Sequence, residues 1–258
     1  MNQIENAALK LRDSWNAKAP YEALTGDDAP ATIDDAYDIQ AALQRLHSEG
    51  RGTIAGRKIA LSSKTMQQMI GIEHPVAGAI FADDVLQSPA QVQLSDFVHL
   101  GLEFELAIEL NSVVPPQTQA HTRDSVRDLV AGVRPAFELI EDRKADYAEL
   151  DPFTLIADNA WCGGVVLGDR LQNWQDLDLN NIPSHVLQDG QPTEETNTGA
   201  ADPLGSLAWV LNHCSERGIE LSRSEHIITG SAVQTRFPTA GDRFSYQMAG
   251  QQVSVKFV

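Results

Sequence analysis

Glu103-Phe104-Glu105 is the first place in the chain where residue type and spacing together could carry chemistry. Residues two apart on a strand share a face, with side chains ~7 Å apart at their bases, so two flexible carboxylates can close on one cation. Oxygen-only ligation suits Mg²⁺ or Mn²⁺, which keep positions for water or substrate oxygens. The same spacing also describes an ordinary solvated strand face. A second feature lies in Pro135-Ala136-Phe137-Glu138-Leu139-Ile140. A carboxylate inside an apolar strand must be paired, protonated or bound to a metal, because burying it bare costs several kcal/mol. Arg134 or Arg143 could supply the partner. Alternatively Glu138 joins Glu103 and Glu105 as a facial set, leaving three octahedral positions for a chelating substrate and water.

Competing chemistries are poorly represented. The seven histidines show no His-x-His or His-Glu-x-x-His spacing, and there is no Gly-x-Ser-x-Gly elbow or phosphate-binding Gly-x-x-x-x-Gly-Lys-Ser/Thr loop. Gly163-Gly164 lacks a dinucleotide fingerprint. Cys162 and Cys214 form no disulfide framework and read as buried thiols. The formal net charge of −17, with no compensating Lys/Arg cluster, argues against nucleic-acid and anionic-membrane partners. No apolar run approaches the ~18 residues of a membrane span, and the N-terminal stretch lacks the pattern of a secretory signal, so a cytoplasmic protein is expected. An acidic protein that binds an anionic metabolite needs a local positive charge, supplied by a divalent cation or an isolated Lys or Arg.

The elements that must position these groups follow from periodicity. Ile4 to Trp15 has helical spacing, and a second helix is marked by a Thr32/Asp35 capping box, the stripe Ala36, Ile39, Leu43 and Leu46, and Gly50 as C-terminal cap. Thr53 to Leu61 reads as a strand running into a Ser62-Ser63-Lys64 cap and a short helix, Thr65 to Ile70. Phe104 to Leu110 alternates, with Phe104, Leu106, Ile108 and Leu110 on one face and Glu103, Glu105, Ala107 and Glu109 on the other. The pattern then predicts a loop over Asn111–His121, a helix over Asp124–Val133, a strand over Ala136–Ile140 and a hairpin at Asp189-Gly190. Asp202-Pro203 opens a helix that Gly218 ends, and two strands flank Ala249-Gly250. The 42% hydrophobic and 21% charged composition is that of a globular chain. Strands dominate and helices fall at irregular intervals, which makes the fold class α+β. The expected organisation is an N-terminal helical portion, residues 1–52, and a catalytic unit, residues 53–258.

Several ordered segments resemble the 2-keto-4-pentenoate hydratase / 2-oxohepta-3-ene-1,7-dioate hydratase family, in the hydratase/decarboxylase branch of the fumarylacetoacetate hydrolase superfamily. They are Gly56-Arg57-Lys58-Ile59-Ala60-Leu61-Ser62-Ser63, then Gly71-Ile72-Glu73-His74-Pro75 with Gly78-Ala79-Ile80-Phe81-Ala82-Asp83, and Glu103-Phe104-Glu105-Leu106-Ala107. Pro135-Ala136-Phe137-Glu138 with Arg143, Ala157-Asp158-Asn159-Ala160 with Cys162-Gly163 and Gly168, and Ile228-Thr229-Gly230 with Ala240-Gly241-Asp242-Arg243-Phe244 complete the set. The resemblance covers Tyr37 to the C-terminus. Departures are Ala60 for a glycine, Leu100-Gly101 for a Pro-Arg or Pro-Lys pair, Trp161 for a serine and Gly205 for a frequent Asn.

The resemblance implies a mixed β-roll core of the fumarylacetoacetate hydrolase C-terminal type. It also implies a Mg²⁺ (or Mn²⁺) ion on Glu103, Glu105 and Glu138, a higher homo-oligomer, and a complex with a decarboxylase or aldolase as one way such subunits assemble. The implied substrate is a small anionic 2-oxo or 2-hydroxydienoic acid. The implied reaction is hydration of a 2-hydroxy-2,4-dienoate to a 4-hydroxy-2-oxo acid in the catabolism of aromatic-type compounds. Catalytic roles fall to Lys58 and Asp83, and substrate contacts to Ser62, Ser63, Asn159 and Trp161. The alternatives are decarboxylation of a 4-oxalocrotonate-type 2-oxo-3-enedioate, C–C hydrolysis, for which no His lies inside the motifs, and a non-catalytic hydratase-like partner subunit.

Overall fold

The computed structural model of the protein describes residues 2–258. Two helices come first, α1 (Gln3–Asn16) and α2 (Ile33–Arg51). α2 begins on the reciprocal capping box: Thr32 Oγ1 accepts from the Asp35 N–H at 3.1 Å, and Asp35 accepts from the Thr32 N–H at 2.9 Å. It stops two residues later than Gly50 suggests, because Gly52 takes the positive φ of +78° that ends it. Ala7, Ala8 and Leu11 of α1 close a small core with Ile39 and Leu43 of α2 and with Ala157.

The remaining chain runs β1 (Ile54–Ala60), α3 (Lys64–Ile70), β2 (Val76–Phe81), β3 (Val85–Gln87), β4 (Ala90–Val92) and β5 (Leu100–Leu110). It continues with α4 (Arg123–Val126), β6 (Val130–Glu141), α5 (Pro152–Ala157), β7 (Cys162–Leu167), β8 (Pro183–Gln188) and β9 (Gln191–Asn197). It closes with α6 (Pro203–Glu216), β10 (His226–Ile228), β11 (Arg243–Met248) and β12 (Gln251–Phe257). Seven strands form a mixed sheet in the order β2-β1-β10-β5-β6-β7-β3, and five form a second sheet, β4-β12-β11-β8-β9. Among the described residues no helix is long and apolar enough to cross a membrane.

The long antiparallel pair β5/β6 is the spine. Phe104 packs edge-to-face on Phe137, Phe244 and Tyr246 within the core that joins the two sheets, so one face of β5 behaves as the alternation predicts. The other face is covered as well: Glu105 is fully buried and Glu109 nearly so. The helix expected over Asp124–Val133 ends early, and its last four residues are strand. α4 and a short 3₁₀ turn end at Leu129, and Val130 begins β6, whose Val130 and Val133 pair with Leu110 and Ile108. β-branched side chains and an available partner strand outweigh the local helical pattern. The Asp202 side chain makes no cap on α6; it pairs with Arg123 and accepts from Asn180 Nδ2 at 2.9 Å.

Candidate metal and substrate site

The β5/β6 register sets Glu103 directly opposite Glu138, with Glu105 opposite Ala136. Cross-strand and diagonal neighbours on one face lie close enough for long side chains to meet. One carboxylate oxygen from each of Glu103, Glu105 and Glu138 falls within 4.8 Å of the others. Two anchors steer them. Glu103 Oε1 accepts from Thr235 Oγ1 at 2.7 Å, and Glu105 Oε2 accepts from the Gly230 N–H at 2.7 Å. Glu105 Oε1 and both oxygens of Glu138 are buried without a hydrogen-bond donor. The one positive group is Lys58, whose Nζ lies 3.0 Å from Glu138 Oε1 as an ion pair outside hydrogen-bond geometry.

Three carboxylates facing one ammonium leave an excess of negative charge in a dry place. Burial, then the charges of Glu138 and Glu103, hold Glu105 well above the usual carboxylate range. Burial also raises Glu138, with Lys58 pulling the other way. Orphaned oxygens and uncompensated charge are what a hard divalent cation relieves, so the donor set fits one.

Arg134 and Arg143 are committed elsewhere. Arg134 pairs with Glu109 at 3.2 Å and Arg143 with Asp158. The partner of Glu138 is Lys58, midway along β1, where it is 1% exposed and so does not reach solvent. Burial works against its charge, but Glu138 and Glu103 outweigh that and keep it an ammonium. Its hydrogen bond goes to the Ala160 carbonyl at 3.0 Å.

That carbonyl is presented by an uncommon backbone. Asn159, Ala160 and Trp161 all have left-handed φ, at 55°, 47° and 58°, a conformation that costs a non-glycine residue about 1–2 kcal/mol. Gly78, the register partner of Lys58 on β2, lets this turn approach. A Cβ there would sit 2.6 Å from the Asn159 oxygen and 3.1 Å from Lys58 Cγ.

Two expected site residues are not brought to the cluster. Asn159 is spent on structure: its amide donates to the Ala79 carbonyl at 2.9 Å and accepts from the Ala79 N–H at 2.8 Å and from Gln44 at 3.0 Å. It forms no part of the cavity wall. Asp83 is exposed in the turn after β2, against Gly52. It lies beyond the end of β2 at Phe81, which is itself three residues and roughly 10 Å along the strand from the level of Lys58. The strand length between the Lys58 and Asp83 segments is what separates them.

Ser62, Ser63 and Trp161 do line a cavity of about 320 Å³ that opens on Lys58 and Glu103. Ser63 Oγ also caps α3, accepting from the Met66 N–H at 3.2 Å. The buried Trp161 ring meets Tyr21 and Tyr147 edge-on, at centroid separations of 5.2 and 5.8 Å. The sequence reading missed Thr235 and Tyr147. No spacing marks them, since they arrive from loops distant in sequence. Gly230 stood in a matched segment, but its N–H role appears only with the backbone in view.

No family model matches the chain. Curated relatives do. The chain is 31% identical to the 2-keto-4-pentenoate hydratase of Paraburkholderia xenovorans (strain LB400) over 252 residues, covering 96% of this chain and 92% of the relative. It is 28% identical to the 2-hydroxyhexa-2,4-dienoate hydratase of Comamonas testosteroni, covering 96% and 94%. It is 29% identical to a 4-oxalocrotonate decarboxylase of Pseudomonas putida, covering 99% and 94%. Among solved structures, the 4-oxalocrotonate decarboxylase from Pseudomonas putida G7, complexed with magnesium and adipate, shares the fold at a TM-score of 0.89 and 24% identity, over 99% of this chain and 97% of that one. With the expected β-roll and a shared length, the chain belongs to the 2-keto-4-pentenoate hydratase family, whose matched relatives include both hydratases and decarboxylases.

Proposed function

We propose that the protein is a hydro-lyase that adds water to a 2-hydroxy-2,4-dienoate, giving a 4-hydroxy-2-oxo acid, with Glu103, Glu105 and Glu138 holding Mg²⁺. The observation that carries this reading is the convergence of half-buried Glu103 with buried Glu105 and Glu138, three of whose oxygens lack a donor, beside the Lys58 ammonium in a cavity. The bound cation would supply a positive charge at the carboxylate and 2-oxygen end of the substrate, where negative charge develops.

The chain's own groups do the rest. The dienol loses its 2-hydroxyl proton and gains one at C5, which leaves a C3–C4 alkene conjugated with the new ketone. Water then adds hydroxyl at C4 and a proton at C3, so one water is consumed in all. Each proton movement needs a donor or acceptor in reach. Lys58 Nζ, fixed between Glu138 and the Ala160 carbonyl, is the ammonium best placed for that role. Ser62 and Ser63 supply neutral hydroxyls on the same wall.

The relatives also include decarboxylases, so the test must separate water addition from loss of CO₂. Purified protein is assayed with Mg²⁺ against 2-hydroxyhexa-2,4-dienoate and 4-oxalocrotonate, following product mass and CO₂. Metal-dependent addition of water supports the reading, and release of CO₂ as the main reaction replaces it.

A further inference from the structure

The cavity that opens on Lys58 and Glu103 has two chemically distinct sorts of wall. Around the carboxylate cluster it is charged. Elsewhere the side chains are Met66 and Ile70 of α3, Ile140 of β6, and Leu150, Leu155 and Trp161. Ile140, Leu155 and Trp161 belong to one buried apolar cluster that Leu150 packs against. Lys58 is the single cation of the lining among the described residues, and it is already engaged with Glu138 and the Ala160 carbonyl. Among the described residues no arginine or histidine reaches the wall.

The polar remainder is neutral and partly committed. Thr235 Oγ1 donates to Glu103, Ser231 Oγ donates to the Val233 carbonyl at 2.8 Å, and Tyr147 Oη donates to Asp142 at 3.0 Å. Ser62, Ser63 and Gln234 offer uncharged groups only. The stretch beside Tyr147 and Leu150 carries one exposed cation, Lys144, and two exposed anions, Asp146 and Glu149, and so is net negative toward a second anion approaching that way.

We infer that the site accepts a monocarboxylic acid with an apolar tail and rejects its dioic counterpart. This rests on the reading above that the cation takes the carboxylate and 2-oxygen end of the substrate, with Lys58 beside it for proton transfer. Both positive groups are committed at that end, so a distal carboxylate would lie uncompensated among Met66, Ile70, Leu150 and Leu155. Removing an ionised carboxylate from water without a partner is strongly unfavourable. An alkyl tail meets the same surface favourably.

The test separates recognition from turnover. Binding of two unreactive probes, 2-oxohexanoate and 2-oxoadipate, is measured by calorimetry on the full chain saturated with Mg²⁺. We expect 2-oxohexanoate to bind at least a hundredfold more tightly. Equal or tighter binding of 2-oxoadipate overturns the inference, as does failure of both to bind at 10 mM, whatever reaction the enzyme performs. A second measurement places a cation in the wall. Met66→Arg on the short helix α3, with Ile70→Lys as the alternative should the first fold poorly, should move the preference toward 2-oxoadipate by at least tenfold. A preference unmoved in a variant of unchanged melting temperature also overturns it. Loss of hydration with the monoacid preference intact would count against the proposed reaction and leave this inference standing.

Discussion

Two sets of buried charges sit within one chain and behave differently. Around Asp158 the charges balance: one oxygen accepts from Trp15 Nε1 at 2.6 Å, and the other pairs with Arg143. The guanidinium also reaches Ser14 Oγ at 3.3 Å and lies 5.1 Å over the Trp15 ring. At Glu103, Glu105 and Glu138 three anions share one ammonium, and three oxygens lack any donor. Glu105, Glu138 and Lys58 are as deeply buried as Asp158 and Arg143, so burial does not distinguish a strut from a binding site. Charge balance does, for Arg143 Nε in the balanced set is also buried without a partner.

The largest effect expected from this contrast is on turnover. Glu138→Gln should lower metal-dependent activity about a thousandfold or more, the scale of losing charge stabilisation at a reacting centre. The melting temperature of the metal-free protein should hold or rise, because the cluster's excess negative charge falls while Glu103 and Glu105 still face Lys58. Retained activity would dissolve the contrast.

Lys58→Met keeps the aliphatic stem and removes the charge and proton donor. Turnover should fall roughly a hundredfold with folding and cation binding intact. Near-normal turnover removes Lys58 from the mechanism, and a collapsed melting temperature reassigns it to structure.

The Asp158 region should answer the opposite way. Asp158→Ala strands Arg143 and should cost about 3–5 kcal/mol of stability, read by denaturant unfolding. Calorimetry on the folded variant should find Mg²⁺ affinity unchanged; a matching loss of affinity would merge the two regions.

Proton linkage gives a smaller signal. Glu105 and Glu138 are raised in the folded state, so the native protein binds more protons than the unfolded chain above the ordinary carboxylate value of about 4.3. Stability of the metal-free protein should therefore fall as pH rises from there toward neutrality. Asp158, pushed up to about 6 by burial against the pull of Arg143, adds the same sign. Saturating Mg²⁺ displaces protons only at the glutamates, so it should flatten part of the fall and leave the rest. Identical melting profiles with and without Mg²⁺ between pH 5 and 8 would show that no cation competes with those protons.

The smallest effect concerns the wall. Trp161→Ser should widen the range of tail lengths accepted and barely change Mg²⁺ affinity; an unchanged substrate profile would make Trp161 simple core.

The glutamates were legible because strand periodicity is short-range. Glu103 and Glu105 declare a shared face by spacing alone, and an isolated Glu138 declares a burial problem. Lys58 was legible for the same reason, as a charge inside an apolar strand. Asp83 and Asn159 misled because a segment can match a family pattern while its geometry is set by elements far away in sequence. Asn159 needs β2 beside it before its amide has a role, and Asp83 is carried off by the length of β2. The strand start at Val130 was hidden too, since its helix-like pattern is overruled only by pairing with β5.

The amide of Asn159 has one more consequence. β2 is the outermost strand of its sheet, and an open edge of that kind is a template for another chain. Here side chains stand in for the missing neighbour. Asn159 satisfies both backbone groups of Ala79, while Tyr37 Oη accepts from the Ala77 N–H at 3.2 Å and Gln40 donates to the Ala77 carbonyl at 2.8 Å. Tyr37 and Gln40 lie on α2, so the helices before β1 act as a seal against aggregation. A chain begun at residue 53 would expose Ala77 on that edge and should precipitate or form edge-paired assemblies long before its metal site could be assayed.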